Sequence, residues 1–238
     1  MNTKPRMINA RTIVLCACAI VGLTPSSYGQ NLSQYRNFAL GSGVAWVSGL
    51  AGVDPAEAKM IHQRPAVLQD LEWRPSRWIA GSNAASTDPV DKIIFSFYND
   101  QLFRVVVDYS GDRTEGMTSA DMIEAISAVY GGRVAPSSRE AARAPSQLET
   151  KSGSSVARWG DGERAVVLYQ TSSYGAAYRL IVTDTRLNDL ARKAEAQAVR
   201  LDDQEAPARE VARQKKERDD GRAAAAKARA ANKGVFRP

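Results

Sequence analysis

The sequence predicts an α+β fold: one antiparallel sheet with packed helices and a long charged C-terminal helix. Three stretches carry that expectation. Residues 92–109 form two β-branched and aromatic runs around Asn99 and Asp100, a pair able to adopt the positive φ angles of a two-residue hairpin turn. Thr118 and Asp121 make a capping box, and Met122, Ile123, Ile126, Val129 and Tyr130 follow at helical spacing. From Arg186 the composition turns to alanine and charge, with Leu187, Ala191, Ala194, Ala198 and Leu201 spaced four and three apart.

Taken in order, the chain starts with an address. Lys4, Arg6 and Arg11 precede an apolar run, Thr12 to Leu23, and Ser27 and Gly29 put small residues before a cleavage site ahead of Gln30. A dozen apolar residues fall short of the ~20 that cross a bilayer, so 1–29 reads as a cleaved signal peptide and the location as periplasmic or secreted. A lipoprotein variant acylated at Cys18 is the alternative. Cleavage removes both cysteines, Cys16 and Cys18, so the mature chain would rest on its core without disulfides. No later apolar segment reaches spanning length.

Charge divides along the same boundaries. The whole chain is +6, but 1–29 holds three basic residues and no acid, and 186–238 holds fourteen basic and nine acidic residues. The body, 30–185, is therefore slightly acidic, and the high overall pI says nothing of a basic face on it.

Within the body, Tyr35, Phe38 and Leu40 suggest a short strand. Ser42 is placed to cap a brief helix ended by Gly52, with Val44, Val47 and Leu50 on one side. Asp54, Pro55 and Glu57 open a helical turn, and Leu68 to Trp73 suits an edge strand. A linker is expected over 79–90. In the hairpin, an unbroken ladder opposes Phe97 to Leu102, Phe95 to Arg104 and Ile93 to Val106, with apolar residues on both faces, so the hairpin belongs mid-sheet under cover. The 118–130 helix, ended by Gly131 and Gly132, is the expected cover for one face. Residues 133–155 read as a second linker, followed by strands over 156–159, 165–169 and 178–183. The tail, 186–238, predicts a helix to about Glu205, kinked or restarted at Pro207 and frayed or broken at Gly221, with a loose, disordered end.

Little chemistry is on offer. The mature chain has one histidine, His62, and no cysteine, which removes thiol nucleophiles and sites with two histidine ligands. No phosphate or dinucleotide loop is present, and no cofactor is expected. Asp108, Ser110 and Asp112 resemble the start of a calcium loop, but Arg113 stands where glycine is required. Asp70 with Glu72, or Asp108 with Asp112, would serve a metal-independent carboxylate hydrolase if folding brought them together. His62, Arg64, Trp73, Arg74, Arg77 and Trp78 form a candidate binding surface, since aromatic and arginine clusters recur at interfaces. The basic tail suits an anionic surface or an envelope partner. Nucleic acid is not expected, because no aromatic interleaves the cations for stacking. A coiled coil is disfavoured by the alanine-rich seam.

Residues 61–65 (Ile, His, Gln, Arg, Pro), 71–75 (Leu, Glu, Trp, Arg, Pro) and 97–103 resemble segments of small exported bacterial proteins that have no assigned activity. The resemblance spans about residues 35–185 and implies location and an α+β fold, with no catalytic or binding residue. The expectation is an exported, non-enzymatic binding or scaffolding module, with a carboxylate hydrolase and a self-associating coiled coil as rivals.

Overall fold

The computed structural model describes residues 31–76, 87–136, 147–171, 176–235 and 237; the expected signal segment lies outside them, as do Arg77, Trp78 and parts of both expected linkers. Among the described residues one antiparallel sheet holds seven strands: β3 (Lys59–His62), β4 (Leu68–Trp73), β5 (Val90–Tyr98), β6 (Gln101–Ser110), β7 (Ser154–Gly160), β8 (Arg164–Gln170) and β9 (Ala176–Asp184). Their spatial order is β3-β4-β5-β6-β9-β8-β7, two meanders joined along β6 and β9. A two-stranded ribbon, β1 (Gln34–Tyr35) and β2 (Phe38–Ala39), stands apart from it. Among the described residues the helices are α1 (Val44–Ala51), α2 (Ser119–Tyr130), α3 (Gln147–Lys151) and α4 (Thr185–Lys233), with a 3-10 turn at Pro55–Glu57. This is an α+β molecule with a long C-terminal helix.

The β5–β6 hairpin is central, as expected. Asn99 and Asp100 both take positive φ, 46° and 62°, as a right-twisted two-residue turn requires. The expected pairing holds for Tyr98 with Gln101 and Phe97 with Leu102, then fails. Phe103 is an extra residue, so Ser96 meets Arg104, Phe95 meets Val105 and Ile93 meets Val107. An unbroken ladder would drive the Arg104 guanidinium in among Phe95 and Phe97, both fully buried. The bulge sends Arg104 to the other face and seats Val105 and Val107 in the core instead. Burying two valines in place of an unpaired charge decides the register.

On the first face of the sheet, Leu71, Ile93, Phe95, Leu102, Trp159 and Leu180 pack under Tyr35 and Phe38 of the ribbon, Val44 and Val47 of α1, and Met122, Ile126 and Tyr130 of α2. On the second face, Leu68 and Phe103 meet Leu187 and Ala191 of α4, while Val106, Tyr169 and Ile181 meet Leu148 of α3. Both faces of the hairpin are thus covered.

Several expectations need correction. The N-cap of α1 is Gly43, not Ser42; the Val44 N–H is donated 2.8 Å to Asp100 Oδ1 from the hairpin turn, and Leu50 stands 44% exposed. A Cβ on Gly43 would sit 2.9 Å from that same carboxylate. Strand β4 is not an edge, because β3 pairs outside it. That strand was illegible: Lys59 to His62 shows no apolar alternation, and Lys59, Met60 and Ile61 are exposed. Helix α2 packs mainly on β7 and β8 rather than on the hairpin, held by a 3.0 Å bond from Trp159 Nε1 to Ser127 Oγ, and Val129 faces solvent. Strand β5 begins at Val90, the last residue of the expected first linker, and the second contains α3 and the start of β7. The tail neither breaks at Gly221 nor restarts at Pro207: α4 runs 49 residues through both.

Candidate functional site beneath and along the long helix

Helix α4 is attached by its first four turns. Asp184 caps it, accepting the Leu187 N–H at 2.8 Å, and Leu187, Asn188, Ala191, Ala194 and Ala198 are buried. The four-three spacing of small residues lets the helix lie close over the sheet. Between helix and sheet the bulge has left a polar layer. Arg104 donates 3.1 Å to Ser96 Oγ across the β5–β6 ladder, and its guanidinium stacks 5.0 Å from the Phe103 ring centroid. Its Nε is sealed from solvent and finds no acceptor. Burial pulls the Arg104 guanidinium below its ordinary pKa, against the opposing fields of Asp70, Glu195 and Glu149.

Two cavities flank this arginine. One, about 50 Å³, is lined by Leu148, Arg158, Tyr169, Thr183 and Asn188; the other, about 90 Å³, by Asp70, Phe97, Phe103, Arg192 and Glu195. Spaces of that size hold a few waters, which would satisfy polar atoms in the layer. Arg192 stands 3.9 Å from Glu149 and so ties α4 to α3. Deeper along β6, Asp108 is the hub of a second ionic group: Arg179 bridges it at 2.6 and 3.0 Å, Lys92 lies 3.6 Å away, and Arg179 reaches Ser152 Oγ at 3.3 Å.

The six residues of the candidate surface do not converge. His62 and Arg64 lie together beside α4, lining a concavity of about 230 Å³ with Ala198, Leu201 and Asp202. Arg64 donates 2.9 Å to Glu205, whose carboxyl it holds below the usual range. Trp73 sits at the opposite end of β4, on the first face of the sheet, 5.7 Å from the Phe38 ring at 60°. Arg74 pairs with Glu72 at 2.9 Å and with Asp91 at 3.6 Å. Arg77 and Trp78 are outside the described residues. Periodicity gave no sign of this separation, because the direction of Trp73 depends on which ladder β4 joins.

Of the carboxylates proposed for hydrolysis, Asp108 and Asp112 are apart in role. Asp108 is committed to Arg179, whereas Asp112 is exposed in the loop before α2. Among the described residues no group of three or more His, Asp, Glu or Cys is placed to hold a metal ion. No described helix is long and apolar enough to cross a membrane.

Past Glu205 every described residue of α4 is exposed. At 1.5 Å per residue, 206–233 makes an arm of about 40 Å. Arg209 spans Pro207 by donating to the carbonyl and carboxylate of Asp202, at 2.9 and 3.1 Å. Arg213 clasps Glu210 and Glu217 at 2.7 Å each. These local bonds hold the helix where nothing packs on it. No family model, curated protein or solved structure matches the chain.

Proposed function

We propose that the chain is an exported, non-enzymatic binding or scaffolding module of the cell envelope, in which the α+β body is a rigid platform and the distal part of α4 is the contact element. One observation carries this reading: α4 is anchored up to Glu205 and then continues as a fully exposed helix over 206–233, a long surface that no other described element covers. The exposed edge strand β3, beside the root of the arm, is a second surface for a partner. The positive, apolar and small-residue order of 1–29 supports export, and the lack of a thiol after Gly29 fits a body held by its core alone.

The test is retention of envelope components by immobilised protein. The full mature chain, starting at Gln30, is expected to retain partners that the same chain ending at Glu205 does not. Equal retention by the two would remove the arm from the function. Sedimentation of the same pair addresses self-association, and a shift to dimer confined to the longer chain would favour a coiled coil instead.

A further inference from the structure

On a continuous helix, Lys215, Arg218, Arg222, Arg229 and Lys233 follow one another at three, four, seven and four residues. With 100° per residue they fall within about 60° of arc and extend about 27 Å along the axis. Ala225 and Ala226 fill the gap in the row, so nothing bulky separates the cations from a flat surface. Glu210, Glu217 and Asp220 project more than about 100° away from the centre of the row. Asp219 borders it, 3.9 Å from Arg222. The residues of the row are all exposed.

We infer that this row is a docking stripe for an anionic lipid surface, which the arm meets side-on. The inference rests on the envelope reading above and adds its ligand. A plane of phosphates is engaged by a single row, leaving the acids on the back of the helix in water. A nucleic-acid groove would instead press phosphate walls against both flanks, where Asp219 lies on one side and Glu210 and Glu217 on the other, at a repulsive cost. Alanine offers little to insert, so attachment is electrostatic and reversible; Val235, exposed just past the helix end, adds one apolar group near the headgroups.

The test measures partitioning of the full mature chain onto vesicles of equimolar phosphatidylglycerol and phosphatidylcholine, with pure phosphatidylcholine as the uncharged control. Binding is expected to the anionic vesicles only and to weaken steeply with salt. Replacing Arg229 and Lys233 together by Gln should cut partitioning about twenty-five-fold, near fivefold per cation. Replacing Lys216 and Lys227 by Gln removes equal charge from other sides of the helix and should cost less than about fivefold. All four sites are exposed and Gln is a good helix former, so circular dichroism should show unchanged helicity in both pairs. Equal losses in the two pairs, or no binding to anionic vesicles, would overturn the stripe. So would tighter binding to duplex DNA than to vesicles at equal phosphate. If vesicles are ignored while the arm still retains envelope proteins, the scaffolding reading survives with a protein partner; if both fail, neither does.

Discussion

Asp108 shows how much of this fold depends on single polar side chains. It is buried, and two Arg179 bonds with Lys92 nearby balance its charge. Asp108→Ala would strand Arg179 under α3 without a counter-charge and should cost roughly 3–5 kcal/mol in urea unfolding. Replacing Asp108 by Leu and Arg179 by Met together should recover much of that loss, because the cost lies in the orphaned ion rather than in the pair. Asp88 is a milder case. It receives two Arg36 bonds, 2.7 and 2.8 Å, that fasten the ribbon to the start of β5, and they hold its carboxyl below the ordinary value. A depressed folded pKa means stability that is complete above about pH 4 and is lost as pH falls through the lower folded value. Thermal unfolding of Asp88→Asn should therefore show a deficit of at most about 1 kcal/mol at neutral pH, given how wet the pair is. The two proteins should converge in acid, since Asn keeps an oxygen to accept the Val90 N–H; a deficit that persists there would show that the Arg36 charge pair is not what the substitution removes.

At the level of elements, what was legible divides by how local the determining signal is. The Asn99-Asp100 turn, the Asp54 and Thr118 capping boxes and the span of α2 are written within a few residues, and each forms as read, although Val129 of the α2 stripe turns to solvent. The bulge at Phe103 was not legible, because only the competition between Arg104 and two valines for the core makes an extra residue favourable. The same holds for the cap of α1, which Asp100 supplies from 56 residues away. Helix α4 erred the other way: Pro207 and Gly221 read as breaks, yet the surrounding Ala, Arg, Lys and Glu carry the helix through. A Cβ on Gly221 meets nothing within 4 Å. Gly221→Ala should thus raise local helix stability by about 1 kcal/mol, visible as greater ellipticity on heating. An unchanged melt would mean that residue 221 is not helical in solution. Of the candidate surface, sequence joined six residues by proximity in the chain, whereas strand pairing separates His62 and Arg64 from Trp73 and Arg74.

For the molecule as a whole, the boundary between body and arm lies inside a helix rather than at its start. The first four turns of α4 close the second face over Leu68 and Phe103, and Arg64 with Glu205 makes the last strut. A chain cut at Thr185 would uncover that apolar face and the Arg104 layer together, and should aggregate or unfold. Among the described residues, a chain cut after Glu205 loses only exposed ones, so its thermal midpoint should stay within about 2 °C of the full protein, the shift expected for a few tenths of a kcal/mol. The difference between the two cuts is the physical content of a platform with a projecting arm. A large fall in midpoint on removing 206–238 would show the arm folding back to stabilise the body, and an arm engaged there could not present its cationic row to anything else.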